Sequence, residues 1–198
     1  MRKKKLMLKL RQMSLKEGKI KAVMNCNKDW IIQTKIDINA VKFIMKDIVG
    51  TEVDLALKST RGFKCKQFDL FDKRSKFKKV INLIKDELCR LDNKQYNLLS
   101  AWTVIGQENN YHLVHKHNEP TNHLATVLYI KMPSTNNLHQ SGEFYYFLKK
   151  DNKITYNNLL PEEGTLIIMP VHVLHGAYPQ PKGIRQTLNL DFEVVDIK

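Results

Sequence analysis

The sequence predicts a mainly β protein with flanking helices, its core a sandwich or barrel of jelly-roll type. Two observations carry that prediction. After Asn93 the chain breaks into short runs of β-forming residues divided by turn-rich segments, seven or eight strands in about 100 residues. Before it, Phe77, Ile81, Ile84, Leu88 and Leu91 recur at spacings of four, three, four and three, one apolar stripe on a helix that should pack against a sheet. The 198 residues suffice for one domain with appendages, and neither an internal repeat nor a low-complexity linker calls for a second.

Residues 1–28 read as a basic N-terminal arm or helix, with leucine, methionine and isoleucine spaced among lysines and arginines. A single domain then spans 29–198, divided into a helical support region (29–95) and the β core (96–198). Within the support region DWIIQTKI (29–36) is a strand by its β-branched content. INAVKFIMKDIVG (38–50) is a helix with Asn39 as its N-cap and Gly50 as its stop. The core strands are expected at 96–106, 112–117, 124–132, 142–150, 153–156, 165–170 and 185–195, with PSTNNLHQSG, DN and NNLLPEEG as turns.

The formal charge of +13 is unevenly placed. From His112 onward eight Lys/Arg face eight Asp/Glu, so the excess belongs to residues 1–111 and is densest at 2–21 and 73–79. Such patches attract nucleic acid or other acidic partners by nonspecific electrostatics, and a solvated basic face is an equal reading. No helix-turn-helix, zinc-finger or RNP-type motif favours nucleic acid. No apolar run is long enough for a membrane span, and the lysine-broken N-terminus does not read as a secretory signal. Three widely spaced cysteines, Cys26, Cys65 and Cys89, read as reduced thiols. A cytoplasmic protein is expected. The lysine, asparagine and isoleucine bias suggests an AT-rich genome, viral or bacterial, and for a viral protein the host cytoplasm.

All seven histidines fall between positions 112 and 175, in the β-rich part. Histidine is the commonest metal ligand and the usual proton carrier near neutral pH. In an extended strand His115, His117 and Glu119 share one face, and Pro120 then ends or edges the strand, leaving the group near a rim. A second group follows an apolar strand: His172, His175, and then Arg185 and Thr187, two apart on one side of the last strand. An arginine among inward-facing apolar residues needs an anionic partner, and its planar fork suits a carboxylate.

The order His117-Asn118-Glu119, His175, Arg185, Thr187 resembles the 2-oxoglutarate and Fe(II)-dependent dioxygenases, whose core is a double-stranded β-helix, a jelly-roll shared with the cupins. TVLYIKMP and SGEFYYF resemble two strands of the prolyl-hydroxylase-like branch. The resemblance covers residues 97–195. It implies that His117, Glu119 and His175 bind Fe(II), leaving three coordination positions open. It further implies that 2-oxoglutarate is held by Arg185, Thr187 and Tyr129, that O2 is consumed and that ascorbate can act as an accessory reductant. The reaction implied is a hydroxylation coupled to decarboxylation of 2-oxoglutarate to succinate, with a protein side chain or a small molecule as prime substrate. Two features depart from the pattern: Glu119 stands where aspartate is usual, and His115 competes for the first ligand position. A substrate-facing or supporting role is expected for His115, a structural, loop or rim role for His112, His123, His139 and His172, and a core role for Trp102. Tyr129 is as much a core candidate as a cosubstrate contact. Gly142 is expected in a turn or bulge, and some of the aromatics Phe144 to Phe147 can floor the cleft.

Two other readings stay open at this stage. A cupin-type metalloenzyme would require His115 as a ligand and no Arg185. A non-catalytic barrel module would bind acidic partners through the basic N-terminal half.

Overall fold

A computed structural model describes residues 25–48, 50–52, 65–92, 94–117, 120–134 and 142–196. The basic residues 2–21, together with Glu119 and His139, lie outside the described residues. In chain order the elements are β1 (Ile32–Lys35), α1 (Ile38–Met45), β2 (Thr51–Glu52), β3 (Lys66–Asp69), α2 (Lys78–Asp92), β4 (Gln95–Gly106), β5 (His112–His115), β6 (His123–Lys131), β7 (Phe144–Lys150), β8 (Lys153–Leu159), β9 (Thr165–Pro170), β10 (His175–Ala177) and β11 (Arg185–Val195). Among the described residues these strands form a seven-stranded sheet, β1-β9-β6-β11-β4-β3-β2, and a four-stranded sheet, β5-β10-β7-β8. Neighbouring strands are antiparallel throughout. The architecture is thus mainly β with two sheets, the jelly-roll sandwich that the strand spacing predicts.

The central strands of the large sheet are covered on both faces, which explains their composition. In β9 every residue is buried. Leu166 and Ile168 enter one apolar cluster with Phe77, Val80, Ile84 and Leu88 of the α2 region and Val41 and Met45 of α1, while Ile167 and Met169 enter another with Phe144 of the small sheet. Period-two alternation therefore sorts side chains between a helical layer and a sandwich interior. In β11 the same alternation separates chemistry from packing. Leu188, Leu190 and Phe192 join the helical layer, whereas Arg185, Thr187, Asn189 and Asp191 occupy the opposite parity, all four buried.

Helix α1 starts two residues earlier than an Asn39 cap would place it. The carboxylate of Asp37 accepts the N–H of Asn39 at 3.0 Å, so Asp37 is the cap. The helix also ends at Met45, well before Gly50. Gly50 instead lies against β3, where a Cβ would come within 2.5 Å of the Asp69 carbonyl oxygen. A close backbone approach, rather than a helix stop, requires glycine there. The DN turn is as expected: Asp151 and Asn152 both have positive φ, 49° and 61°, the geometry of a two-residue hairpin between β7 and β8. Strand β8 runs on to Leu159, because Asn157 and Asn158 pair with Tyr146 and Tyr145 instead of turning. Gly142 has φ 70° and donates to the Pro179 carbonyl, a turn role in keeping with its identity.

Ile84 is fully buried where α2 meets the large sheet. Ile84→Ala is expected to destabilise the protein by about 2–5 kcal/mol, transfer and cavity contributions combined, as read from chemical denaturation. Among the described residues no helix is long and apolar enough to cross a membrane.

Candidate metal and anion site

A cavity between the two sheets is lined by His112, His115, His117 and His175 on one side and by Arg185, Thr187 and Asn189 on another, with Tyr129, Trp102 and Phe144 completing it. Each polar group reaches it for a local reason. Strand β5 ends at His115, and the chain is then pinned by the His117 N–H, which donates to the Val171 carbonyl at 2.9 Å. His175 opens β10 and stands opposite His115 in register. Strand β11 presents its polar parity inward, and its entry is fixed by Gln180, whose amide donates to the carbonyls of Gly106 and Gly183, each at 3.1 Å.

His115, His117 and His175 each offer a ligand atom within 4.8 Å of the others. Their rings are close: 4.4 Å between the centroids of His115 and His175, 5.3 Å for His117 and His175, and 5.8 Å for His115 and His117. Every Nδ1 in the group is already engaged, with the Leu113 carbonyl for His115 (2.9 Å), the Val173 carbonyl for His175 (2.8 Å) and the Asp191 carboxylate for His117 (3.0 and 3.1 Å). Such partners fix the tautomer with the proton on Nδ1 and Nε2 unprotonated, as in metal-ligating histidines. Burial lowers the pKa of His115, against the opposing pull of the hydrogen bond to the Leu113 carbonyl. Burial and the neighbouring imidazoles hold His175 well below the ordinary histidine value. Both are therefore neutral near pH 7, the state a cation needs.

The anion half of the cavity is as distinctive. Arg185 is 3% exposed, and its Nη1 is buried without a hydrogen-bond partner among the described residues. Among the described residues its Nη2 reaches only the Cys65 sulfur, at 3.9 Å. A buried guanidinium with an unused donor is costly unless an anion completes it. Thr187 lies beside Tyr129 across β11 and β6. The Thr187 hydroxyl oxygen accepts from the Asn189 amide at 3.1 Å, which leaves its own proton to donate. Burial pushes the Tyr129 phenol upward, so it too stays a donor.

Of the residues expected at the site, His117, His175, Arg185, Thr187 and Tyr129 line one cavity, and Glu119 lies outside the described residues. His115, for which a substrate-facing or supporting role is expected, is one of the three convergent imidazoles. His112, expected in a structural, loop or rim role, and Trp102, expected in the core, also line the cavity. Trp102 stands 5.6 Å from His117, and Phe144 lies nearly parallel to His175 at 5.6 Å. His172 is elsewhere, its Nε2 on Asp29 at 2.9 Å. Asp191 and Asn189 had a signal in the sequence: they continue the i, i+2 parity of Arg185 and Thr187.

The buried histidines also set a pH dependence. Burial and the positive charge of Arg185 hold His112 well below the ordinary value, and burial does the same at His175. An imidazole whose folded pKa is depressed takes its proton first in the unfolded chain, near pH 6.5, so folding loses stability as pH falls below that. The metal-free protein is expected to keep its Tm from pH 8 to 7 and lose it progressively between about pH 6.5 and 5. A melting series should show a shallower fall in His175→Gln.

No protein-family model matches the sequence, and no curated protein matches it. Solved structures do match. An oxidoreductase of the 2OG-Fe(II) oxygenase family from Burkholderia pseudomallei is 9% identical at a TM-score of 0.64, over 91% of this chain and 91% of that one. The viral collagen prolyl hydroxylase of Paramecium Bursaria Chlorella virus-1, in complex with 2OG, is 12% identical at 0.58, over 86% and 99%. HygX from Streptomyces hygroscopicus, with nickel and 2-oxoglutarate bound, is 9% identical at 0.61, over 84% of each chain. The chain therefore has the fold of the 2OG-Fe(II) oxygenases, prolyl hydroxylases among them.

Proposed function

We propose that the protein is an Fe(II) and 2-oxoglutarate-dependent oxygenase, a hydroxylase, with His115, His117 and His175 holding the metal and Arg185 holding the cosubstrate. One observation carries the reading: a buried arginine with an unused donor lines the same cavity as three imidazoles whose Nδ1 atoms are already occupied. A dicarboxylic acid that also chelates a cation would fit both halves of such a cavity.

When bound, iron, 2-oxoglutarate and dioxygen together would supply the oxidising power, with succinate and carbon dioxide as coproducts. The chain's own contribution is binding, orientation and exclusion of water. Arg185 offers paired N–H donors to the distal carboxylate, and the Thr187 hydroxyl and Tyr129 phenol add neutral donors beside it. Val104, Val127, Trp102 and Phe144 supply apolar wall and keep the chemistry dry. A peptidyl side chain is the favoured prime substrate, supported by the prolyl hydroxylases among the structures of like fold.

Anaerobic titration with Fe(II) and 2-oxoglutarate, followed by a succinate assay in air, tests the proposal. Saturable binding of both and succinate release are expected; a wild-type protein that binds metal but not 2-oxoglutarate would instead point to a cupin-type metalloenzyme. That second reading has one observation in its favour, the presence of His115 in the cluster, and one against it, the burial of Arg185 in the cavity.

A further inference from the structure

We infer that Asp191 is a positioning residue of the metal centre, holding His117 from behind and placing a negative charge against its ring. The inference rests on the reading that His115, His117 and His175 hold a metal. The three imidazoles are not supported alike. His115 and His175 give their Nδ1 protons to backbone carbonyls, whereas His117 meets a carboxylate with both oxygens, at 3.0 and 3.1 Å. That carboxylate is 5% exposed and is oriented by Ser100, whose hydroxyl donates to Oδ2 at 3.0 Å. Among the described residues no lysine or arginine pairs with Asp191; its one ion-pair partner is His117.

A carboxylate buried this deeply without a basic side chain costs folding free energy. The cost is offset when positive charge comes to the far nitrogen of the ring it holds, and that nitrogen faces the cluster. The carboxylate also makes His117 a stronger donor than its two neighbours, so the centre is electronically lopsided. Strand β11 then serves the cavity at both ends, with Arg185 for the anion and Asp191 for the cation. A purely structural pair tying the segment after β5 to β11 would hold the same geometry, so the test must read the metal itself.

Full-length wild type and Asp191→Asn, Asp191→Ala and Asp191→Glu are titrated anaerobically with Co(II), following its visible d–d absorption, with melting curves as the check on folding. Asparagine keeps a hydrogen-bond acceptor and removes the charge. Asp191→Asn is expected to bind Co(II) about 10–100-fold more weakly with a displaced absorption band, Asp191→Ala at least as weakly, and Asp191→Glu closer to wild type. A folded Asp191→Asn that binds within about twofold of wild type, with the band unmoved, overturns the inference while leaving the metal centre standing. Wild-type protein that takes up no Co(II) removes the metal centre and this inference with it. Should the variants not fold, imidazole 1H–15N correlations of the Zn(II)-loaded wild type decide: a proton on His117 Nδ1 with Nε2 on zinc supports the role, and the reverse arrangement refutes it.

Discussion

Arg185→Ala is expected to abolish 2-oxoglutarate binding while leaving metal uptake in place. Truncating one partner of a buried, hydrogen-bonded charge pair costs about 2–5 kcal/mol, a loss of roughly 30- to several-thousand-fold in affinity. The lower end of that range does not suit Arg185. It is 3% exposed, and little else in the cavity can take over its role, since Tyr129 and Thr187 offer neutral donors only. Arg185→Lys should recover only part of the affinity, because a single ammonium cannot reproduce the planar fork. Isothermal titration of metal-loaded protein with 2-oxoglutarate reads the effect directly. Equal binding by wild type and Arg185→Ala would remove the arginine from the cosubstrate site.

The second large effect separates two ligand sets. If His115, His117 and His175 hold the metal, His115→Ala should lose Fe(II) or Co(II) by more than the roughly 100-fold that loss of a supporting partner can cost, and succinate formation with it. Glu119→Ala should then keep most of its metal affinity. The opposite pattern would return the carboxylate to the ligand set and make His115 a neighbour. Metal stoichiometry by elemental analysis, measured on both variants beside wild type, distinguishes these outcomes without reference to the prime substrate.

Why His115 was hard to place from sequence is a matter of parity. Residues 115, 117 and 119 all fall on one face of an extended strand, so a period of two admits all three candidates and selects none. Tertiary structure places two of them, since β5 stops at His115 and the His117 N–H turns to the Val171 carbonyl, while Glu119 lies outside the described residues. The same parity argument was more informative on β11, where Arg185 and Thr187 point to Asn189 and Asp191 along an uninterrupted strand. The core strands and α2 were legible because burial on one or two faces writes itself into the apolar pattern. The three-residue strand β10 was not legible, since His-Gly-Ala carries no β-forming signal and pairs only because β5 and β7 flank it. Nor were β2 and β3 foreseen, short strands at the margin of the large sheet. The α1 cap went to the wrong residue because aspartate and asparagine, two apart at Asp37 and Asn39, are nearly equal as caps by type.

Strand β11 has a consequence for how this protein can change. From Arg185 to Asp191 the inward groups are spaced by the pitch of a strand, so their separation of about 20 Å works as a fixed ruler. Both neighbours, β4 and β6, grip it along most of its length. A single inserted residue upstream of Asp191 would swap the two faces, driving an arginine toward the oily layer and leucines toward the cation. The polar lining of the cavity and the apolar packing are thus written on alternate letters of the same eleven-residue word, and a frameshift in register erases both at once.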